Sequence, residues 1–327
     1  MTTALVTGIT GFVGSRLATR LVHEDYDVVG LIRPCASREL KLIEPILNEI
    51  TLLSGDLTSL NSVTNVLRNA NPDLIFHLAA LSPVMYSFEH PFQYQDTNYL
   101  GTLNLVHSLL ELKDFKKRRL LAASSAEVYG LQTSQPFEEN LPLRPTSPYA
   151  VSKAALDLYL RMAAKVFDLN CVVMRPTNTY GRKREKAFIV EYLITSMLAG
   201  HRVFVGAPES VRDYLYIDDH VEAYILAAER DTAAGEVFNI GTGVGISNKE
   251  LALQSSSILG FDSKEIVFGS YPPGYPMRPI VSDQPYIVLD SKKAHKIIGW
   301  QPRTQLKQGL QMVADYWKTT IAKSVSG

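Results

Sequence analysis

Cysteine is nearly absent from this 327-residue chain: Cys35 and Cys171 are all it holds, too few to frame a disulfide scaffold. An excess of charge of one sign is missing as well. Lys and Arg total 33, Asp and Glu total 33, and the balance recommends neither nucleic acid nor a membrane surface as partner. No uninterrupted apolar run reaches the length of a bilayer span. The seven histidines show no metal-ligand spacing, so no metal is expected. Internal repeats, low-complexity tracts and long linkers are also lacking. The chain opens Met-Thr-Thr and a strand is expected from Ala4, so no signal peptide is expected. These absences point to a cytoplasmic protein that works on small molecules.

Apolar runs alternating with helical patterns fill the first half, the rhythm of βαβ units. Ala4–Thr7, Asp27–Ile32, Thr51–Leu53, Leu74–Leu78, Leu120–Ser124 and Cys171–Met174 read as strands buried on both faces. Ser15–His23, Ser62–Asn69, Thr97–Leu112 and Pro148–Val166 read as the helices between them. After about Thr177 proline and glycine become denser. Helices are expected at Asp219–Glu229, Asn248–Leu259 and Thr304–Lys318, and Glu236–Ile240 reads as a late strand of the main sheet. The expected architecture is α/β: a Rossmann doubly wound parallel sheet with a smaller, interleaved C-terminal substrate lobe. Residues 1–177, with about 235–245, form the dinucleotide-binding part; 178–234 and 246–327 form the substrate part.

The first strand runs into Thr7-Gly8-Ile9-Thr10-Gly11-Phe12-Val13-Gly14 and then a helix. Gly8, Gly11 and Gly14 make a variant of the dinucleotide fingerprint. Its first glycines permit a tight turn and close approach to a pyrophosphate, the last permits helix–strand packing, and the helix N-terminus offers N–H groups to phosphate. At the end of the second strand stand Arg33 and, shortly after, Arg38, where an NAD enzyme usually carries an acid. A guanidinium suits a 2′-phosphate, so NADP is preferred to NAD. Asp56 after the third strand suits an adenine amino group. Leu78-Ala79-Ala80 ends the fourth strand with small residues that let backbone pass close to the cofactor. His77 reads as a core histidine.

Tyr149 and Lys153, four residues apart, share one helix face and lie downstream of Ser125. An ammonium beside a phenol favours its ionised form, which turns a poor base into one suited to reversible proton transfer.

With these motifs in hand, the chain resembles the extended short-chain dehydrogenase/reductases, the nucleotide-sugar epimerase and dehydratase group. The likeness runs nearly end to end. It rests on Thr7–Gly14, His77-Leu78-Ala79-Ala80, Asn98, Ser124–Gly130, Ser147–Lys153, Arg175-Pro176-Thr177-Asn178 and Gly299-Trp300-Gln301-Pro302. The resemblance implies that Ser125 hydrogen-bonds the reacting sugar oxygen, that Tyr149 exchanges a proton with it, and that Lys153 holds the nicotinamide ribose. It carries Thr10, Phe12, Val13, Leu57, Asn98 and Pro176 to the cofactor. Ser82, Val84, Asn178, Phe188, Arg212 and Arg278 are carried to the nucleotide sugar.

Within the group the chain looks most like the GDP-mannose 4,6-dehydratases and the related GDP-4-keto-6-deoxymannose reductases. Val84–Pro91, the Asn178-to-Phe188 spacing with Arg182-Lys183-Arg184, and Arg278-Pro279 carry that closer likeness. Two departures stand out. Ser125-Ala126-Glu127 replaces the usual Thr-Ser-Glu or Thr-Asp-Glu, so Glu127 keeps a carboxylate for C5 but Ala126 has no polar group for the 6-hydroxyl. Ile280 and Val281 follow Pro279 where the family has an acid. The resemblance implies a 4,6-dehydratase on a GDP-hexose, with a single-step 4-keto reductase and a 4-epimerase as alternatives. A catalytically silent NADPH-binding regulator is the alternative outside enzymes. It also implies a homodimer packed through long helices, with Ala155, Leu156, Leu158, Leu160 and Ala163 on Ala154–Ala164, or a tetramer.

Overall fold

The computed structural model describes residues 1–34, 40–181, 188–272, 274–275, 279 and 282–325. Thr3–Thr7 (β1), Asp27–Ile32 (β2), Ile50–Ser54 (β3), Leu74–His77 (β4), Arg119–Ala123 (β5) and Cys171–Pro176 (β6) pair parallel. The connecting helices are Phe12–His23 (α1), Leu60–Ala70 (α2), two short turns Tyr86–Glu89 (α3) and Pro91–Tyr94 (α4), Gly101–Leu110 (α5) and Pro148–Val166 (α6). Three further strands, Asn178–Tyr180 (β7), Val203–Val205 (β8) and Val211–Tyr216 (β9), precede Val237–Ile240 (β10). β10 joins β6 as the seventh strand of the main sheet, in the order β10-β6-β5-β4-β1-β2-β3. The strand order reverses between β1 and β4, which opens a crevice at their C-terminal ends.

Each face of the sheet is covered. On one, Leu17 and Leu21 of α1 pack with Tyr224 and Ala228 of Ile217–Glu229 (α8), after Ile189–Leu198 (α7) in the chain. On the other, Val63 and Val66 of α2, Leu105 of α5, and Leu156 and Leu160 of α6 form a second cluster. The near-continuous apolar strands are the sequence consequence of this double covering. Of the stripe on α6, Leu156, Leu160 and Ala163 are core, whereas Leu158 is exposed.

A third cluster lies under α7, Asn248–Leu259 (α9) and Leu306–Val325 (α11). Beside it β9 pairs with β7, with Gly245–Ser247 (β11) and with Tyr286–Ile287 (β13), while β8 pairs with Ile266–Phe268 (β12). Lys292–Ile298 (α10) leads into Trp300, which is buried and donates its indole N–H to the Asp219 carbonyl at 2.8 Å. That bond ties the Gly-Trp-Gln-Pro segment to the first turn of α8. Among the described residues no helix is long and apolar enough to cross a membrane.

Candidate active site

The glycine turn has the geometry that the spacing predicts. Gly8 adopts φ 72°, and a Cβ there would lie 2.7 Å from the Ala79 amide nitrogen. A Cβ on Gly14 would stand 2.1 Å from the Gly8 carbonyl oxygen, so only glycine lets α1 pack against the end of β1. Gly11 caps α1 and contributes no side chain, and the helix starts at Phe12 rather than Ser15. The N-terminal amides of α1 thus open onto the crevice at the switch point, the arrangement that binds phosphate.

Behind this turn a hydrogen-bonded chain fixes the end of β4. The Ala79 amide donates to Thr7 Oγ1 at 3.2 Å, and Thr7 Oγ1 lies 2.9 Å from His77 Nδ1. His77 Nε2 lies 2.9 Å from Thr102 Oγ1, which donates to the Asn98 carbonyl at 2.6 Å. His77 is a core histidine, buried and pushed down to about 3 by desolvation and by the nearby Lys153 charge. Asn98 sits on a π-helical turn, Gln95–Leu100, where an unbroken helix is expected from the sequence. Its side chain accepts from the Leu81 amide at 2.8 Å and donates to the Leu81 carbonyl and to Ser152 Oγ, both at 3.0 Å. Asn98 therefore ties the loop after β4 to α6 and is not itself among the residues lining the cleft.

Ser147 caps α6 by accepting from the Ala150 amide at 3.1 Å, and Pro148 supplies the first helical position. This start aims Tyr149 and Lys153 at the loop after β5. Lys153 Nζ donates to the Ala123 carbonyl at 2.7 Å, and burial pushes the ammonium down to about 7. Tyr149 is buried and packs edge-on against Tyr94, ring centroids 6.3 Å apart. Ser125 Oγ accepts from the Glu127 amide at 3.2 Å, which orients the short helical turn Ala126–Tyr129. The Glu127 carboxylate accepts from Gln284 Nε2 at 2.9 Å.

These groups face one cleft of about 370 Å³. The glycine turn, Phe12, Val13, Leu78, Ala80, Ser82 and Val84 line it together with Ser125, Glu127, Tyr149, Lys153, Pro176, Asn178 and Phe188. Of the residues expected at the cofactor, Thr10, Leu57 and Ala79 are not among those that line the cleft. Exposed Arg33 follows β2, and exposed Asp56 follows β3 with its carboxylate taking bonds from Thr58 at 2.9 and 2.8 Å. Arg38, Arg278 and the segment Arg182-Lys183-Arg184 lie outside the described residues. Tyr224 went unread in the sequence: it lines the cleft, fully buried, and its hydroxyl has no hydrogen-bond partner among the described residues. Its place on the inner face of α8 made it look like ordinary core.

Arg212 is not among the residues lining the cleft; it is paired with Asp283, Nη2 to Oδ1 at 2.9 Å, and both are largely buried. An acid does follow Pro279, then, four residues on rather than immediately after it. Asp213 points elsewhere: its carboxylate accepts from the Thr242 amide and hydroxyl at 2.9 and 2.6 Å and from the Gly243 amide at 3.1 Å. Asn178 Nδ2 lies 3.5 Å from the Asp213 carbonyl.

A dinucleotide crevice joined to a Ser–Tyr–Lys set on this sheet defines a short-chain dehydrogenase-type enzyme. The GDP-mannose 4,6 dehydratase family matches residues 5–313, and the chain belongs to it, within the extended nucleotide-sugar epimerase/dehydratase group. The chain is 31% identical to the UDP-glucose 4-epimerase of Mycolicibacterium smegmatis, covering 96% of this chain and 98% of that protein. It is 28% identical to the dTDP-D-glucose 4,6-dehydratase of Mus musculus, covering 96% and 88%. Among solved structures, the UDP-glucose 4-epimerase of Thermotoga maritima with UDP-glucose superposes with a TM-score of 0.85 at 29% identity, covering 97% and 99%. The dTDP-glucose 4,6-dehydratase of Streptomyces venezuelae with NAD and TYD bound gives 0.86 at 26% identity, covering 98% of each chain.

Proposed function

We propose that this chain is a nucleotide-hexose 4,6-dehydratase that uses a nicotinamide dinucleotide, with GDP-mannose as substrate. One observation carries the reading: Glu127 shares the cleft with Ser125, Tyr149 and Lys153. The residues present fit a dinucleotide, because the glycine turn is a cradle that any Cβ would obstruct. The α1 amides would hold its pyrophosphate and Lys153 its nicotinamide ribose. Arg33 in place of an acid supports NADP, although relatives from Streptomyces venezuelae and Bacillus anthracis were solved with NAD. When bound, the dinucleotide accepts hydride from the sugar and later returns it.

Ser125 holds the sugar's 4-oxygen and Tyr149 takes its proton, helped by the ammonium of Lys153. The 4-ketone acidifies C5, and Glu127 removes that proton. Ala126 has no proton to give the departing 6-hydroxyl. The Glu127 carboxyl, protonated by the preceding step, hands that proton on, and water leaves; the proton on Tyr149 passes to solvent, and Glu127 takes up a solvent proton and returns it to C5 as hydride is restored at C6. Arg212, with Asp283 behind it, pairs with the diphosphate.

The division of labour proposed for the chain puts the dinucleotide on 1–177 with about 235–245, and the nucleotide sugar on the rest, in a cytoplasmic setting. Exposed Leu100, at the end of the π-turn leading into α5, and exposed Val151 and Leu158 on α6 support a homodimer through these helices. A 4-epimerase is the second reading, favoured by Ala126 and by the epimerase relatives.

Incubation with GDP-mannose, UDP-glucose or dTDP-glucose, without added reductant, tests the proposal by mass spectrometry. Loss of one water supports it. An isomer of unchanged mass makes the chain an epimerase, and stoichiometric NADPH consumption by a keto sugar makes it a reductase. Tyr149→Phe should abolish whichever reaction is found, lowering the rate roughly 10²–10⁴-fold.

A further inference from the structure

We propose that Gln284 is a positioning residue for Glu127, holding the carboxylate in the direction from which it removes the C5 proton. The inference rests on the dehydratase reading above. Gln284 comes from the C-terminal part of the chain, 157 residues from Glu127, and is 1% exposed. Its Nε2 donates to Glu127 Oε2 at 2.9 Å and lies 3.4 Å from the Glu127 carbonyl oxygen. Both of those oxygens only accept, so the side-chain amide has one orientation; turned over, it would set its oxygen against a carboxylate.

That orientation carries a cost. Gln284 Oε1 is buried with no hydrogen-bond partner among the described residues. A leucine or methionine would fill the place without an orphaned oxygen, so the fold retains a desolvated acceptor to keep one donor on Glu127. The donor is held firmly. Its neighbour Asp283 is paired with Arg212, the Val211 amide donates to the Pro285 carbonyl at 2.9 Å, and β13 then pairs with β9 through Tyr286 and Ile287. Thr146 Oγ1 donates to the Ser282 carbonyl at 3.3 Å on the other side. Successive residues thus brace the two ends of the substrate: Asp283 the arginine for the diphosphate, Gln284 the carboxylate for the sugar.

The experiment uses the full chain with GDP-mannose in D2O and compares Gln284→Met, of similar length but without a donor, with wild type and Glu127→Gln. Two readouts are followed: deuterium entering C5, and the near-ultraviolet absorbance of the reduced dinucleotide. Gln284→Met should slow C5 exchange on the order of 10²-fold, the cost of a misdirected catalytic group, while reduced dinucleotide accumulates because the earlier step persists. A merely structural residue would depress both signals together, and that result overturns the inference. Exchange lost in Glu127→Gln but intact in Gln284→Met overturns the inference alone. Exchange surviving in Glu127→Gln removes the dehydratase reading, and the inference with it.

Discussion

Asp157 and Arg175 form a bidentate ion pair from which solvent is fully excluded: Nε to Oδ2 and Nη2 to Oδ1, both 2.8 Å, with neither side chain exposed. Asp157 lies one turn beyond Lys153 on α6, and Arg175 immediately precedes Pro176 at the cleft. Arg175 Nη1 continues to the Tyr129 hydroxyl at 2.8 Å, which donates to Asn239 Oδ1 at 2.6 Å. The pair therefore sets the helix that carries Tyr149 against the turn that carries Glu127. Truncating one partner leaves a buried charge unmatched. Asp157→Ala should lower unfolding free energy by about 3–5 kcal/mol, whereas Asp157→Leu with Arg175→Met should cost less than either single change. Urea unfolding of Asp157→Ala, the double variant and its two single variants checks this; a double variant less stable than both singles would contradict it.

Lys153 makes stability depend on pH in the dinucleotide-free protein. Burial pushes it from 10.5 down to about 7, so the folded state disfavours its charged form. Between those values the unfolded chain binds more protons at this residue than the folded one. Stability accordingly rises with pH across that window, and the penalty is fully present below about 7. The depression corresponds to something on the order of 5 kcal/mol. The difference in unfolding free energy between wild type and Lys153→Met should therefore grow from pH 7 to pH 10 in favour of wild type. A pH-independent difference would show that the ammonium is not desolvated.

The sheet was legible because parallel strands covered on both faces must be almost wholly apolar, and the glycines because close backbone approach tolerates nothing else. Asp27–Ile32, Pro148–Val166 and Asn248–Leu259 stand where their patterns put them. What escaped depends on long-range pairing. Ile189–Leu198 is too evenly apolar to show a helical face, and β7, β9, β11 and β13 are short or take their partners from distant parts of the chain. Asp283 and Gln284 carry no local signal, since their partners lie 71 and 157 residues away. Asn98 was recognised, but its π-turn was not, because no residue pattern distinguishes one wide turn from the helix around it.

Arg212 is expected to act on nucleotide-sugar affinity. Its guanidinium is oriented by Asp283 and its Nη1 by the Val211 carbonyl at 2.9 Å. Arg212→Leu removes a charge-assisted contact worth about 1.5–3 kcal/mol, so KM should rise roughly 10–150-fold with kcat changed much less. Asp283→Asn keeps the guanidinium but loosens it, and should fall between. Steady-state kinetics with GDP-mannose decide; a fall confined to kcat would place Arg212 at the reacting end instead.

Arg33 makes the choice of dinucleotide testable. It occupies the end of β2, where an acid would hold a ribose diol, and it is exposed enough to meet a phosphate. Arg33→Asp should weaken NADPH binding by about 1.5–3 kcal/mol, roughly 10–150-fold, and leave NADH binding equal or tighter. Fluorescence titration of each reduced dinucleotide measures both constants. Equal loss for the two cofactors would mean that Arg33 meets something they share.

His77 should be a neutral imidazole carrying its proton on Nε2. Thr102 spends its hydroxyl proton on the Asn98 carbonyl, so it can only accept from His77 Nε2. Thr7 Oγ1 already accepts from the Ala79 amide and is left to donate to Nδ1. Every donor along the line from Ala79 to Asn98 then has an acceptor, and a second ring proton would face the Thr7 hydroxyl proton. With the folded value near 3 and the unfolded value near 6.5, the unfolded chain binds the extra proton first, so stability falls as pH drops through that interval. Long-range ¹H–¹⁵N spectra should show the Nε2–H tautomer unchanged from pH 8 to pH 5. An imidazolium signal for His77 at pH 5, or an Nδ1–H tautomer at any pH, would break the chain of bonds that holds Ala79 against the glycine turn.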